Sequence, residues 1–192
     1  IPSPQKIKSQ FPESFVYFEP KNVVSGDFYN MFTLKYFTVI IVADCTGHGV
    51  PGGFLSMLGM ASLRDLLPKY YSYQQMPTSE ILGKLRSFVI SSLAVAIEEE
   101  GDTMCVSDGM DMTMAAISAD RRMITYSLAD HNIYLCRDGE VDKLKGDRMP
   151  IGRHPSQDQP FAQNSQQLAP GDMLYFCSDG IQDQIGGSDD CK

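Results

Sequence analysis

A run of β-branched and aromatic residues that ends in an aspartate and a glycine-rich turn constrains the fold of this chain most. Residues 35–44, KYFTVIIVAD, have the composition of a buried strand. The following CTGHGVPGG contains Pro51, which suits the first turn of a helix because no N–H is needed there. A strand that stops at Asp44 and leads into a helix places a carboxylate and a helix N-terminus at one sheet edge.

The rest of the pattern predicts two helices followed by mostly antiparallel strands. Apolar residues recur at helical spacing in residues 52–67, before Pro68, and again after Thr78 or Ser79, which can cap a second helix. This segregation favours an α+β layered sandwich over a doubly wound parallel sheet. Further strands are predicted at residues 14–20, 110–118, 123–129, 132–137 and 172–180, with a tight hairpin at Asp138-Gly139. Core positions are predicted for Met57, Met60, Met110, Met112 and Met114.

Length and charge limit what the chain does. Its 192 residues suit one domain with a sizeable core. The formal net charge of −8 and the lack of a basic run exclude nucleic acid as an expected partner. No apolar run approaches the roughly 18 residues of a membrane span, and the five cysteines have no CxxC spacing. We therefore expect a cytoplasmic domain with reduced thiols and no membrane contact of its own.

Three aspartates stand beside glycines or at strand ends: Asp27 in SGDFY, Asp44, and Asp179 in SDGIQDQ. Each alone is typical of a turn. Together, on one sheet edge, their like charges are unfavourable unless a cation lies among them. Oxygen ligands of this kind favour Mg²⁺ or Mn²⁺ over zinc.

The loop after Asp44 suits a metal or an anion. Gly47 and Gly49 let the backbone come close to such a group, and the Cys45 carbonyl is a further oxygen donor. His48, between the two glycines, is either a structural donor or a general acid. A nucleotide-binding loop is disfavoured because the P-loop lysine and the dinucleotide glycine spacing are absent from the sequence.

The segment SDGMDMT adds Asp108 and Asp111 near the start of a strand. They are either a turn residue and a solvated residue, or carboxylates of a third metal site. The sequence contains no serine nucleophile elbow and no CxxxxxR phosphate loop, so a covalent phospho-enzyme is not indicated. With two metals about 3.5–4 Å apart, the natural mechanism is direct attack by a water that the metals share.

The ordered motifs VVSGDFYN, VADCTGHGVPGGFLSMLG, SDGMDMTMAAI, MPIG and LYFCSDGIQDQIGG resemble the metal-dependent protein phosphatases of type 2C, in their bacterial SpoIIE-like branch. The resemblance implies a four-layer αββα sandwich of two mostly antiparallel sheets flanked by helices. It also implies two Mn²⁺ or Mg²⁺ ions, with room for a third. By position, the implied metal ligands are Asp27, Asp44, the Cys45 carbonyl and Asp179, with Asp108 or Asp111 at the third ion. The implied catalytic residues are Asp27, Asp44 and Asp179. The residues expected to face the phosphate are Gly47, His48 and Gly49.

Two departures from that family are visible. Asp130-His131 stands in LADHN where such proteins usually have Ala-Gly followed by His or Ala-Asn. The family also has further helices and a last strand, which follows an Asp-Asp pair that completes the metal site. Asp189-Asp190 follow IGGS directly and have no strand after them, so they are not taken as that ligand. Residues 1–192 are therefore interpreted as one domain that is truncated at its C-terminus.

The expected function is a metal-dependent serine/threonine phosphatase that acts on phosphoserine or phosphothreonine. The resemblance suggests a phosphorylated anti-anti-sigma factor as substrate and an upstream sensor region in the parent chain, and it leaves a homodimer open. A docking module without turnover is the main alternative, since the last metal ligand is missing. A two-metal phosphodiesterase or nuclease uses similar chemistry, but the acidic charge disfavours it.

Overall fold

The structure is a computed structural model that describes residues 1–20, 23–47, 49–98 and 108–181. None of the helices in this part of the chain combines the length and apolarity needed to cross a membrane. The helices are α1 (Pro4–Gln10), α2 (Val50–Leu66) and α3 (Thr78–Glu98). The strands are β1 (Phe28–Thr33), β2 (Phe37–Cys45), β3 (Gly109–Ser118), β4 (Met123–Ala129), β5 (Asn132–Arg137), β6 (Glu140–Lys145), β7 (Ile151–Gly152), β8 (Asn164–Gln167) and β9 (Met173–Phe176).

The strands form two antiparallel sheets. The larger sheet has the order β1-β2-β3-β4-β8, with β7 also paired to β3, and the smaller sheet has the order β6-β5-β9. One core cluster joins the larger sheet to α2 and α3, and a second cluster lies between the two sheets. The predicted α+β class, with two mostly antiparallel sheets and helices, is confirmed.

The two-residue period of the strands decides which side chains face the second sheet. In β2, Val39, Ile41 and Ala43 pack in the cluster that contains the helices, whereas Ile40 packs in the cluster between the sheets. Successive side chains of a strand point to opposite faces. Asp44 is therefore on the face that looks toward the smaller sheet.

Helix α2 meets the sheet through small residues. A Cβ on Gly59 would lie 3.1 Å from the Met110 sulfur and 3.3 Å from Phe28 Cζ, so the helix and the sheet are in close contact there. Ser56 and Ser62 are buried on the same side. Because this face already lies against the sheet, Met57 points away from it and is 64% exposed. The predicted core position is wrong for Met57. It is confirmed for the three β3 methionines, Met110, Met112 and Met114, and Met60 packs partly buried against the same core.

The N-terminal strand predicted at residues 14–20 is wrong. Phe15 and Tyr17 are 71% and 70% exposed, and no strand is assigned there. The edge of β2 is instead occupied by β1, in which Phe28 pairs with Ala43 and Thr33 pairs with Thr38. Alternating aromatic residues without a free strand to pair with do not form a sheet.

Candidate functional site

Asp44 and Asp111 lie side by side on neighbouring strands. They are direct register partners in the β2–β3 pair. Thr113 and Ala115 follow Asp111 at two-residue intervals, and Ala115 packs between the sheets, so Asp111 shares the inter-sheet face with Asp44. Two carboxylates thus meet at the end of the cleft between the sheets.

The loop before β1 brings Asp27 to the same place. A Cβ on Gly26 would lie 2.9 Å from the Gly47 carbonyl oxygen and 3.0 Å from the Cys45 carbonyl oxygen. This close backbone approach requires glycine at position 26. The next residue, Asp27, therefore lies beside the Asp44–Cys45 strand end.

Asp179 comes from the smaller sheet, just after β9, where it begins a short 3-10 turn. The neighbouring Ser178 hydroxyl donates a 2.7 Å hydrogen bond to Asp27 Oδ2, which joins the two sheets at this point. The carboxyls of both Asp27 and Asp179 are close enough to that of Asp44 to raise its pKa. The three aspartates expected to act together, Asp27, Asp44 and Asp179, are thus close in space.

The pKa values of Asp44 and Asp111 reflect this crowding of carboxyl groups. Burial, the charge of Asp27 and the contact with Asp179 raise the pKa of Asp44 to about 8. Burial, with smaller contributions from Asp130 and Asp179, raises the pKa of Asp111 to about 7. Like charges in a partly buried place disfavour full ionisation, so Asp44 and, in part, Asp111 retain a proton near neutral pH.

A cavity of about 220 Å³ lies against these carboxyls. Asp44, Asp111, Asp130 and Asp179 line it together with His131. Asp108, the other residue considered for a third ion, precedes β3 and is not part of the lining. The five aspartates Asp27, Asp44, Asp111, Asp130 and Asp179 are called the carboxylate cluster below.

His131 is fixed beneath the carboxylate cluster. Its Nδ1 lies 2.7 Å from the Thr113 hydroxyl, and the residue is only 7% exposed. Its Nε2 is buried and has no hydrogen-bond partner in the described part of the chain. Burial lowers the pKa of His131, while the charges of Asp179, Asp27 and Asp130 act in the opposite direction.

The Cys45 side chain is buried on the helix side of β2, so only its backbone faces the site. Burial, followed by the charges of Asp44, Asp27 and Asp111, raises the pKa of its thiol well above the ordinary value. The thiol therefore stays protonated and unreactive. The carbonyl is the group of Cys45 that is available for a ligand.

The loop between β2 and α2 turns through two left-handed glycines, Gly47 with φ +82° and Gly49 with φ +68°. Gly49 precedes α2 and gives it no side-chain cap. The positive end of the helix dipole therefore lies at this loop without a competing side-chain acceptor. His48, predicted to face the phosphate, lies outside the described residues, as does the Asp189-Asp190 pair.

Two hydroxyl residues position the site and were not singled out from the sequence. The Thr46 hydroxyl donates to the Gly109 carbonyl at 2.8 Å and accepts from the Gly109 N–H at 2.9 Å, which ties the loop to the start of β3. Ser178 joins Asp27 to the end of β9. Their only sequence signal was adjacency to Cys45 and Asp179, and serine and threonine are common beside any turn.

The donors of the carboxylate cluster fit a hard divalent cation chemically. They are carboxylate oxygens, which Mg²⁺ and Mn²⁺ prefer, and the raised pKa of Asp44 reflects burial first and then the charge repulsion that such an ion relieves. Within residues 1–20, 23–47, 49–98 and 108–181, however, no three His, Cys, Asp or Glu side chains already surround one point at metal-binding geometry. Binding therefore requires side-chain rotation within the cluster.

The raised pKa of Asp44 predicts how stability depends on pH without divalent cations. The folded state keeps a proton, with a pKa of about 8, that the unfolded chain releases near 3.8. The stabilising contribution is thus complete below the unfolded pKa and is lost as the pH rises through about 8. We expect the melting temperature in EDTA to fall between about pH 5 and pH 9.

The control for this pH dependence is Asp44→Asn, because asparagine carries no titrating proton. The variant should show a flatter profile and be more stable than the wild type at about pH 9 in EDTA. Thermal melts followed by circular dichroism measure both proteins. If the melting temperatures of the two proteins changed with pH in parallel, the pKa of Asp44 would not be raised in the folded state.

The sequence is similar to a known family and to curated proteins. The family described as Stage II sporulation protein E (SpoIIE) matches residues 37–191. Phosphoserine phosphatase RsbU of Bacillus subtilis (strain 168) is 29% identical over 166 residues, which cover 84% of this chain and 44% of that protein. The chain thus spans less than half the length of this curated relative.

Solved PP2C domains are also similar to this chain. The SiaA-PP2C domain of Pseudomonas aeruginosa has a TM-score of 0.79 and 29% identity, over 96% of this chain and 68% of that chain. The PP2C phosphatase domain of SpoIIE from Bacillus subtilis, solved with a fragment of its regulatory domain, has a TM-score of 0.65 and 19% identity. It covers 83% of this chain and 43% of that chain. The second likeness is one of fold alone.

Proposed function

This chain belongs to the SpoIIE family, and from that premise we propose that it is a metal-dependent serine/threonine phosphatase of bacterial signalling. The observation that carries the proposal is that Asp27, Asp44 and Asp179, residues far apart in the sequence, come close together in space. Similarity to a phosphoserine phosphatase and to a PP2C domain supports the same reaction class. The substrate class is phosphoserine or phosphothreonine on a protein.

The proposed ligands of two Mn²⁺ or Mg²⁺ ions are Asp27, Asp44, Asp179 and the Cys45 carbonyl. Asp111 is the better placed candidate for a third ion, because it pairs with Asp44 and lines the cavity, whereas Asp108 does not. Bound there, divalent cations lower the pKa of water and neutralise phosphoryl oxygens. The need to relieve repulsion within the carboxylate cluster supports this ligand set.

The chain itself supplies an anion site beside the carboxylate cluster. The backbone of Gly47 and Gly49 and the N-terminus of α2 are proposed to receive the phosphoryl group, together with His48. Gly49 provides no side-chain cap, so the first-turn N–H groups have no side-chain acceptor there. The Ser178 hydroxyl donates a hydrogen bond to Asp27 and thereby holds one carboxylate of the cluster in place.

The proposed partner is a phosphorylated protein, and the resemblance to this family suggests an anti-anti-sigma factor. A sensor region upstream in the parent chain is proposed to control activity. The net charge of −8 argues against a nucleic-acid substrate, since phosphates would be repelled at long range.

A phosphate-release assay on the 192-residue chain tests the proposal. We expect release from a phosphoserine or phosphothreonine protein that requires added Mn²⁺ or Mg²⁺ and stops with EDTA. Cyclic dinucleotides and single-stranded DNA serve as parallel substrates and should remain intact. Cleavage of these, with the phosphoprotein untouched, would instead identify a two-metal phosphodiesterase.

A docking module without turnover is the second candidate. It is favoured by one observation, that no three potential ligands among the described side chains already surround a metal position. Calorimetry with Mn²⁺ separates the two functions. Saturable Mn²⁺ binding together with phosphate release supports the phosphatase, whereas binding of a phosphoprotein without Mn²⁺ binding supports the module.

A further inference from the structure

Residues 149–152, MPIG, contain β7, whose backbone lies in direct contact with the start of β3. Ile151 pairs with Met110, and Gly152 pairs with Gly109. A Cβ on Gly109 would lie 2.8 Å from the Ile151 carbonyl oxygen. A Cβ on Gly152 would lie 2.8 Å from the Asp108 carbonyl oxygen. Because the two backbones already touch, a shift of β7 displaces the start of β3.

Gly109 in turn holds the loop between β2 and α2 through Thr46. The Thr46 N–H donates to the Gly109 carbonyl oxygen at 2.9 Å. The Thr46 hydroxyl donates to the same oxygen at 2.8 Å and accepts from the Gly109 N–H at 2.9 Å. Thr46 stands between Cys45, whose carbonyl is a proposed cation ligand, and Gly47 of the proposed anion site. The position of both groups therefore follows that of Gly109.

Arg86 of α3 is bonded to the chain on both sides of β7. Its Nη1 donates to the Met149 sulfur at 3.4 Å, and Met149 precedes β7 by two residues. Its Nη2 donates to the Gln159 carbonyl oxygen at 2.6 Å. Its guanidinium also lies 4.4 Å from the centre of the Phe161 ring. Since Gln159 and Phe161 follow β7, one side chain connects α3 to the segments before and after this strand.

Arg86 is only 6% exposed, although burial of a charge is unfavourable. The three ion pairs found among the described residues do not involve it. Met149, Ile151 and Phe161 are themselves buried in the core cluster that contains the helices. Their apolar contacts have no preferred direction, whereas hydrogen bonds from a guanidinium fix distance and angle. The arginine therefore gives β7 a defined position, which apolar burial alone does not.

We propose that Arg86 is a positioning residue for the candidate active site, an inference that rests on the proposed phosphatase function. The contacts of Arg86 fix β7, β7 fixes Gly109, and Gly109 fixes Thr46. Loss of the guanidinium should therefore loosen the loop between β2 and α2 while leaving the smaller sheet unchanged.

Amide hydrogen exchange in the 192-residue chain without divalent cations, followed by NMR, tests the proposal. Arg86→Met keeps a long apolar side chain but removes the guanidinium. We expect exchange at the Thr46 and Gly109 amides to accelerate at least roughly tenfold more than at Leu135, in the central strand of the smaller sheet. Arg64→Met, at an exposed position of α2, is the matched control and should change none of the three. Uniform acceleration in Arg86→Met, or none, overturns the proposal.

Arg86→Lys covers the case in which Arg86→Met does not fold. Lysine keeps the charge and most of the stem, but it lacks the planar fork that reaches both Met149 and Gln159. We expect the same selective acceleration at Thr46 and Gly109. Exchange rates equal to those of the wild type would contradict the positioning role.

Phosphate release shows whether this connection matters for the reaction. We expect Arg86→Met and Thr46→Val each to lower the rate about 10–100-fold, because a small misplacement of a site is costly. The double variant should lose little more than the more impaired single variant, since both changes break the same connection. Fold losses that multiply would indicate independent effects and contradict the proposal.

The proposed phosphatase and the proposed role of Arg86 can fail separately. If the wild type releases no phosphate, the phosphatase is refuted, while selective exchange in Arg86→Met still establishes the connection from α3 to the loop. If the wild type releases phosphate and Arg86→Met matches its rate, the phosphatase stands and the positioning role is wrong.

Discussion

Phosphate release is expected to fall roughly 100-fold or more in Asp44→Asn and in Asp179→Asn. Both changes keep the side-chain shape but remove the negative charge proposed to hold the cation. Asp44 should show the larger loss, because both Asp27 and Asp179 act on its carboxyl. Initial rates at saturating Mn²⁺, with Mn²⁺ affinity from calorimetry, measure the effect.

Asp142→Asn is the matched control for these two variants. Asp142 is exposed on β6 and does not line the cavity, so the same chemical change there should leave the rate near that of the wild type. All three proteins should keep the circular dichroism spectrum of the wild type. Full activity in both Asp44→Asn and Asp179→Asn would remove the basis for the proposed metal ligands.

Gly52→Ala is expected to reduce activity strongly by displacing the loop that carries the site. A Cβ at this position would lie against the Gly47 carbonyl oxygen, 3.0 Å from the Gly47 carbonyl carbon and 3.1 Å from the Gly26 Cα. These are backbone atoms, so relief requires the loop to move. We expect a loss of about 1–3 kcal/mol in stability and at least a tenfold loss in phosphate release.

Gly83→Ala separates this packing effect from the general effect of removing glycine from a helix. Gly83 lies in α3, and a Cβ there would meet nothing within 4 Å. Alanine should therefore stabilise the protein by about 0.5–1 kcal/mol and leave activity unchanged. If Gly52→Ala were also stabilising and active, the close backbone contact of Gly26, Gly47 and Gly52 would have no functional role.

Elements with a strong local pattern were predictable from the sequence. The β-branched strand was predicted at residues 35–44 and forms β2 at Phe37–Cys45. The hairpin at Asp138-Gly139 forms with φ of 50° and 83°, the left-handed backbone that this pair tolerates well. These elements depend on the strand and turn preferences of neighbouring residues, which can be read from one sequence.

Elements that depend on tertiary pairing were not predictable. β1 at Phe28–Thr33 was missed, because the preceding SGD and Asn30 suggest a turn although most of its residues favour strands, and pairing with β2 decides the outcome. The strand predicted at residues 14–20 had the better local pattern but no partner. Met57 was misplaced because helical spacing alone does not tell which side of α2 faces the sheet through glycine and serine.

For the candidate site, the sequence predicted that three aspartates would be close in space, but not which residues surround them. Asp27, Asp44 and Asp179 were expected to be close because each lies at or near the end of a strand on one sheet edge. The position of His131 beneath them depends on where the chain crosses between the sheets, and its contact with Thr113 spans 18 residues. Such contacts follow from sheet register, which no local motif encodes.

The β2–β3 register that pairs Asp44 with Asp111 also pairs Ala43 with Met112. Since side chains alternate between faces, a slip of β3 by one residue would turn Asp111 into the apolar layer under the helices and Met112 toward the cleft. A misaligned molecule would therefore fail to fold rather than accumulate as a folded but inactive form. Correct pairing of β2 with β3 is thus needed both for folding and for placing the aspartates, and the folded fraction of a preparation should closely follow its active fraction.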